Sequence, residues 1–529
     1  MFSMKSKRNS SFTTGLFLFV QVFALTFCSS PQRTSLKADD SKTEKSSEIS
    51  QNPPAIQSGE ELKDQTNLAQ GAISKDLRPQ VIMLYVSDLH GRLRPELSGM
   101  GGYARLSQWI KSERIKAGDQ SDVIAIAGGD IAGKSALPCR KSSEMECFRL
   151  LKEVGFDLAV LGNGELKRSS SELNDLIQNS GIAWTSANVK SLDSKNAWQK
   201  TFEWQGHKSK SSWLFLSWSV APSPGEVDLK KAKLDIKSSL ADAPWDAWEK
   251  LAQGKNTVLV PHQEYEDDVE FLKTACQKNT LKPLLLLKSN DHKFRDEKID
   301  CAPLLEPGAY GERAVKVVFQ PDETGKWFLF SKEFVPMSSE IPDDPLMKAR
   351  IEALYQAYAP TADNVVGTVT KDLNQVEFAK WVGAAFRKVT RSDIAVVNNG
   401  AIKEDLKAGP LSEERLSLVY PYNDDLMGFD VNAREFEKVL CAASQRVKDP
   451  FEDYGSDLIL SGVDLENAGT TSCRIVGPKR ASYKVAMVSF LVKRSKRWLG
   501  KDFTSNAFKW QVRTEQAFEK MLQDNGRKL

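Results

Sequence analysis

Short apolar runs recur through the first half of the chain: "VIMLYVS" (81–87), "DVIAIAG" (122–128), "DLAVLG" (157–162), "IAWTSANV" (182–189), "WLFLSWSV" (213–220), "NTVLVP" (256–261) and "PLLLLK" (283–288). Being apolar at nearly every position, they read as strands buried on both faces. Helix-period stretches such as "GGYARLSQWIKSERIKAG" and "DDVEFLKTACQKN" separate several of them. Strand and helix in alternation predict an α/β layered domain whose strand-end loops carry the chemistry. A chain of 529 residues also exceeds one ordinary core, so two or more domains are expected.

The ends and the charge narrow the setting. Lys5, Lys7 and Arg8 precede the apolar run "GLFLFVQVFALTF", which is short for a bilayer span and reads as a secretory signal. "LTFCSS" follows and resembles a bacterial lipobox, with Phe27 where that motif usually has Gly or Ala. The expectation is a signal peptide over 1–28 and a lipid-anchored Cys28, making an exported envelope lipoprotein held on a membrane. A plain signal peptide cleaved near Cys28 is the alternative. Residues 29–78 are rich in Ser, Lys, Glu and Pro with hardly an aromatic, a composition for a tether. A net charge of +3, with acids and bases interspersed, announces no nucleic-acid surface. Six further cysteines remain: Cys139, Cys147, Cys276, Cys301, Cys441 and Cys473. Export favours disulfides, and pairing of sequence neighbours is the simplest arrangement.

Polar residues gather at the predicted strand ends. The first run leads into Asp88 and His90, the second into Asp130, the third into Asn163, a later one into His262, and the last into His292. Of four histidines only His207 stands apart from these ends. Carboxylates, an amide oxygen and imidazoles from separate strand ends suit one or two divalent ions such as Zn or Mn. Two ions about 4 Å apart can clamp a phosphoryl group and activate water, with Asp130 as a shared carboxylate.

The ordered motifs "SDLHGR", "GGYARL", "GGD", "GNGE", "SANV", "VPHQEYEDD" and "SNDHK" resemble the calcineurin-like metallophosphoesterases, specifically the secreted 5'-nucleotidases. The stretch 393–440 is similar to that family's C-terminal substrate domain. The resemblance implies an αββα metallophosphoesterase domain over 79–340, a linker helix within 341–361 and a smaller α/β domain over 362–529. It implies one metal held by Asp88, His90, Asp130 and His292. A second would take Asp130, Asn163, His262 and, at a position where the family has His, Asn290. Two departures matter. The family's Gly-Asn-His-Glu reads Gly162-Asn163-Gly164-Glu165, so the transition-state histidine is replaced by Gly164, with Lys167 and Arg168 nearby. An Arg that the family carries before a later helix is replaced by Asn374.

For substrate, the resemblance implies nucleobase stacking on Tyr422 and Phe490 and contacts from Arg92, Asn398, Lys403 and Asp502. The expected activity is metal-dependent hydrolysis of a nucleotide or related small-molecule phosphate ester, weakened by the loss at Gly164. The alternative is a non-catalytic lipoprotein that keeps a metal and a nucleoside-shaped cleft.

Overall fold

In the computed structural model, which describes residues 78–529 apart from 134, 194, 224–226 and 446–457, each apolar run contributes a strand. The signal segment, Cys28 and the tether lie outside the described residues. One six-stranded sheet has the order Trp327–Pro336, Arg313–Pro321, Gln80–Val86, Ser121–Ala127, Leu158–Val160, Ala183–Thr185. A second has the order Phe294–Ile299, Ala302–Pro307, Leu285–Leu287, Asn256–Leu259, Ser212–Leu216, Phe202–Gln205.

The sheets pack face to face, and this explains why the runs are apolar throughout. Val81, Met83, Tyr85, Ile124 and Ile126 point between the sheets and meet Trp213, Phe215, Val258, Leu285 and Leu287. Their neighbours Ile82, Leu84, Val86, Ala125 and Ala127 point the other way, onto the helices Tyr103–Ala117, Met145–Val154 and Ser170–Ser180. Leu214, Leu216, Leu259 and Leu286 cover the opposite helices Trp245–Ala252 and Tyr265–Gln277. The result is the expected four-layer αββα arrangement. Strands between 294 and 336 were not legible as apolar runs. They lie at or next to the sheet edges, and "FRDEKI" alternates exposed with half-buried positions.

Helix Pro345–Tyr358 follows, capped by Asp344 and started by a proline. Beyond it a five-stranded sheet has the order Leu458–Ser461, Ile394–Asn398, Ser482–Val488, Asp425–Asn432, Phe508–Arg513, with Gln375–Thr390, Ala433–Ser444 and Thr514–Asp524 among its helices. Neighbouring cysteines pair as expected: Cys139 with Cys147, Cys276 with Cys301, and Cys441 with Cys473. Among the described residues no helix is long and apolar enough to cross a membrane.

Candidate metal centre

Gln80–Val86, Ser121–Ala127 and Leu158–Val160 run parallel, as do Ser212–Leu216, Asn256–Leu259 and Leu285–Leu287. Within each sheet their carboxyl ends therefore share one edge, and five of the six strands, all but Ser212–Leu216, release a ligand-type residue two or three positions later: Asp88, Asp130, Asn163, His262 and Asn290. Asp88, His90, Asp130, Asn290 and His292 all have left-handed backbones, with φ of 52°, 47°, 48°, 84° and 59°. L-residues rarely accept this conformation, and it costs about 1–3 kcal/mol per position unless the surroundings impose it. Its concentration in these loops is itself a mark of a functional site.

The side chains converge. His90 Nε2 lies 3.0 Å from His292 Nε2, and His292 Nε2 lies 3.6 Å from Asp88 Oδ1. Asp130 spans two imidazoles, with Oδ2 4.0 Å from His90 Nε2 and Oδ1 3.7 Å from His262 Nε2. Among the described residues, two groupings have donor atoms all within 4.8 Å of one another: Asp88, His90 and His292, and Asp88, Asp130 and His262. Asp88 belongs to both groupings, and the two Asp130 oxygens face His90 and His262 respectively.

The donor set suits a divalent ion. Asp88 Oδ1, Asn163 Oδ1 and His262 Nε2 are buried and have no hydrogen-bond partner. Leaving such atoms unpaired is costly, and bound cations are the groups that would take these lone pairs. The tautomer of His262 fits as well: with its Nδ1–H donated to the Gly128 carbonyl at 2.8 Å, Nε2 is free to ligate. Electrostatics agree. Burial works against the Asp88 carboxylate, but His292, 3.6 Å away, and the other imidazoles around it outweigh that cost and hold its pKa down at about 2. Burial drives His90 down to about 4, against the pull of Asp130, so its ring stays neutral and able to ligate.

Glu165 holds the two central loops together. Fully buried, it accepts the backbone N–H groups of Asp130 at 2.9 Å, Ile131 at 3.0 Å and Gly162 at 2.9 Å. Gly164 N–H donates to Asp130 Oδ1 at 2.5 Å, and a Cβ at position 164 would lie 2.7 Å from that oxygen. The missing side chain thus makes room for the Asp130 carboxylate. Lys167 is exposed, whereas Arg168 donates to the Gly164 carbonyl and pairs with Glu144. Asn290 donates its side-chain N–H to Glu264 at 3.0 Å, while its backbone N–H holds Asp88 Oδ2 at 3.1 Å. His207 is exposed.

The substrate-side residues are more scattered. Lys403 lies near enough to help depress His90, and its ammonium sits 5.5 Å from the Tyr422 ring centroid, so this loop joins the metal centre to Tyr422. Tyr422 is 37% exposed and lines a cavity of about 520 Å³ with Arg140, Tyr420, Glu515 and Phe518. Phe490 is half-buried beneath the Arg494 guanidinium, 4.2 Å away, and Asn398 is half-buried at its strand end. Arg92 is committed elsewhere: it pairs with Glu96 at 3.0 Å and with Glu404 at 2.9 Å while stacking on Tyr310. Asp502 is exposed and accepts from the backbone and hydroxyl of Thr504. Asn374 caps helix Gln375–Thr390 in a reciprocal box with Glu377. Sequence reasoning passed over Glu165, Tyr310, Glu404 and Lys288. Lys288, a charge closing the run "PLLLLK", and Glu165, the last residue of "GNGE", left a signal.

Residues 358–474 match the family described as 5'-nucleotidase, C-terminal domain. The crystal structure of a 5'-nucleotidase precursor from Thermus thermophilus superposes with a TM-score of 0.70 at 17% identity, covering 85% of this chain and 97% of that one. The chain has the two-domain fold of the 5'-nucleotidases. Among curated proteins, Endonuclease YhcR of Bacillus subtilis is 19% identical over 430 residues, 72% of this chain and 34% of that protein. This chain therefore spans about a third of that relative's length. Protein UshA of Yersinia enterocolitica is 21% identical over 482 residues, 79% of this chain and 86% of that protein. The loops bearing Asp88, Asp130, Asn163, His262 and His292 belong to the αββα part of this fold, and Tyr422 lies within the residues that match the C-terminal family.

Proposed function

We propose that the protein is a metal-dependent phosphoesterase that hydrolyses a nucleotide or a related phosphate ester. The observation that carries this reading is the trio of buried, unpartnered donor atoms Asp88 Oδ1, Asn163 Oδ1 and His262 Nε2, lying with His90, Asp130 and His292 at the carboxyl ends of the strands. Asp88, His90, Asp130 and His292 would hold one ion, and Asp130, Asn163 and His262 a second, with Asn290 beside them. When bound, such ions lower the pKa of water and polarise phosphoryl oxygens. The chain's own part is to orient. Glu165 fixes the loops that carry Asp130 and Asn163, the Gly128 carbonyl sets the His262 tautomer, and Lys403 offers positive charge toward a phosphate. Tyr422 offers a ring face for a base.

Gly164 supplies no proton and no charge. Loss of a positioned acid or electrostatic stabiliser costs about 10²- to 10⁴-fold in rate, so turnover is slow. That same residue favours a second reading, a non-catalytic protein that binds metal and nucleoside. Domain limits of 79–340, 341–361 and 362–529, export, and a lipid anchor at Cys28 belong to the proposal. Three disulfides suit an oxidising compartment.

The test combines elemental analysis of the purified chain with phosphate release from nucleoside monophosphates under added Mn or Zn. Two ions per chain and slow, metal-dependent release support the phosphoesterase. One ion without release supports the binding protein, and no bound ion defeats both.

A further inference from the structure

Directly behind the metal centre lies a lysine that none of the steps above uses. Lys288 is wholly buried at the end of strand Leu285–Leu287. An ammonium has three protons to donate, and here all three are placed: on the Gln263 carbonyl at 2.8 Å, on Asp268 Oδ2 at 2.9 Å and on the Ser289 carbonyl at 3.0 Å. Gln263 follows His262, and Ser289 precedes Asn290. One charged group therefore ties together two ligand-bearing loops.

A second cation completes the arrangement. Asp291, between Asn290 and His292, is gripped from both sides, by Lys288 Nζ at 3.3 Å and Arg295 Nη2 at 2.9 Å. Arg295 is itself anchored by the buried Glu306 at 2.9 Å. Ser289 Oγ donates to the Pro261 carbonyl at 2.9 Å and lies 3.0 Å from the protonated His262 Nδ1, from which it can only accept. Tyr85 OH, from the other sheet, reaches the Lys288 carbonyl at 2.9 Å. Burying an ammonium is expensive, and an apolar side chain would fit the run "PLLLLK" without that cost. What the charge provides is geometry. Asn290 and His292 both stand in the left-handed region on either side of the clamped Asp291, a conformation that persists only when neighbouring bonds impose it.

We propose that Lys288, acting with Asp291 and Arg295, is a positioning residue that preorganises His262, Asn290 and His292 for the metal ions. The inference rests on the metal-centre reading of the preceding subsection. Outer groups that orient ligands commonly change metal affinity about 10- to 100-fold when removed.

The experiment uses the full chain, stripped with a chelator and titrated with Mn and with Zn by calorimetry, alongside thermal melting of the metal-free protein. Two changes are compared. Asp291→Asn leaves Lys288 its three hydrogen bonds and Arg295 its bond to Glu306, so the core stays satisfied. Lys288→Met with Asp268→Asn removes the ammonium without stranding a buried carboxylate. Both are expected to weaken metal binding about 10- to 100-fold while the metal-free melting temperature of Asp291→Asn stays within a few degrees of the parent. Should Asp291→Asn bind both metals within twofold of the parent, the proposal is overturned, whatever happens to the melting temperature and whether or not the double variant folds. A parent chain that binds neither metal overturns the metal reading and this inference together. A parent that binds while Asp291→Asn binds equally well removes the inference alone.

Discussion

Replacing Gly164 with alanine isolates one contact at the centre of the site. Gly164 has φ −62° and ψ −45°, angles that any L-residue adopts, so the backbone adds no strain. The added Cβ would stand 2.7 Å from Asp130 Oδ1, 2.9 Å from its Cγ and 3.0 Å from Oδ2. The carboxylate must retreat, stretching the 2.5 Å hydrogen bond that it accepts from the Gly164 N–H. Hydrogen bonds to charged groups contribute about 1.5–3 kcal/mol. Loss of backbone freedom in the unfolded chain returns about 0.4–1 kcal/mol. The metal-free protein is therefore expected to lose about 1–2 kcal/mol, a fall of a few degrees in melting temperature. With saturating Mn the deficit should narrow, because Asp130 then has a cation as its partner and no longer depends on that N–H. Scanning calorimetry in chelator and in Mn measures both. A melting temperature that is unchanged or raised in chelator, or a deficit of equal size in both conditions, would refute this account of the carboxylate.

A histidine at the same position shares that Cβ but brings back an imidazole. Gly164→His is expected to hydrolyse p-nitrophenyl phosphate in Mn at least about 10-fold faster than Gly164→Ala, measured as initial rates. Tyr422→Ala should raise KM for a nucleoside monophosphate by about 5- to 150-fold, the equivalent of a stacking loss of about 1–3 kcal/mol, and leave KM for glycerol phosphate unaltered. Glu96 supplies a pH signature. Burial, opposed by Arg92, raises its pKa from 4.5 to about 7. A raised carboxyl pKa means the folded state holds the proton more tightly, so this contribution is full below about pH 4.5 and is lost as pH rises through 7. Up to about 3 kcal/mol of stability should decline over that interval in the parent. Denaturant melts of Glu96→Gln should show that part of the slope removed, and an unchanged slope would count against the burial assigned to Glu96.

The αββα layering was legible because period-2 burial on both faces leaves runs with no polar gap, as in 81–87, where Val81, Met83 and Tyr85 serve one core and Ile82, Leu84 and Val86 another. Disulfide pairing followed sequence neighbours. Strands with one wet face, such as Phe294–Ile299, left no comparable trace, since their alternation resembles that of an exposed loop.

The residue types at the strand ends declare a candidate metal centre by themselves, because carboxylates and imidazoles are the groups that bind divalent ions. Which of them meet is a matter of parallel strands ending along common edges, and a linear reading of the chain does not contain that information. Asp130 came to face both His90 and His262, Arg92 turned to Glu404, more than three hundred positions away, and Lys288 found Asp268 and Asp291 around its ammonium. Residue chemistry is local and is written in the sequence. The partner that neutralises a charge or completes a ligand shell arrives from a distant segment, and only packing decides which one it is.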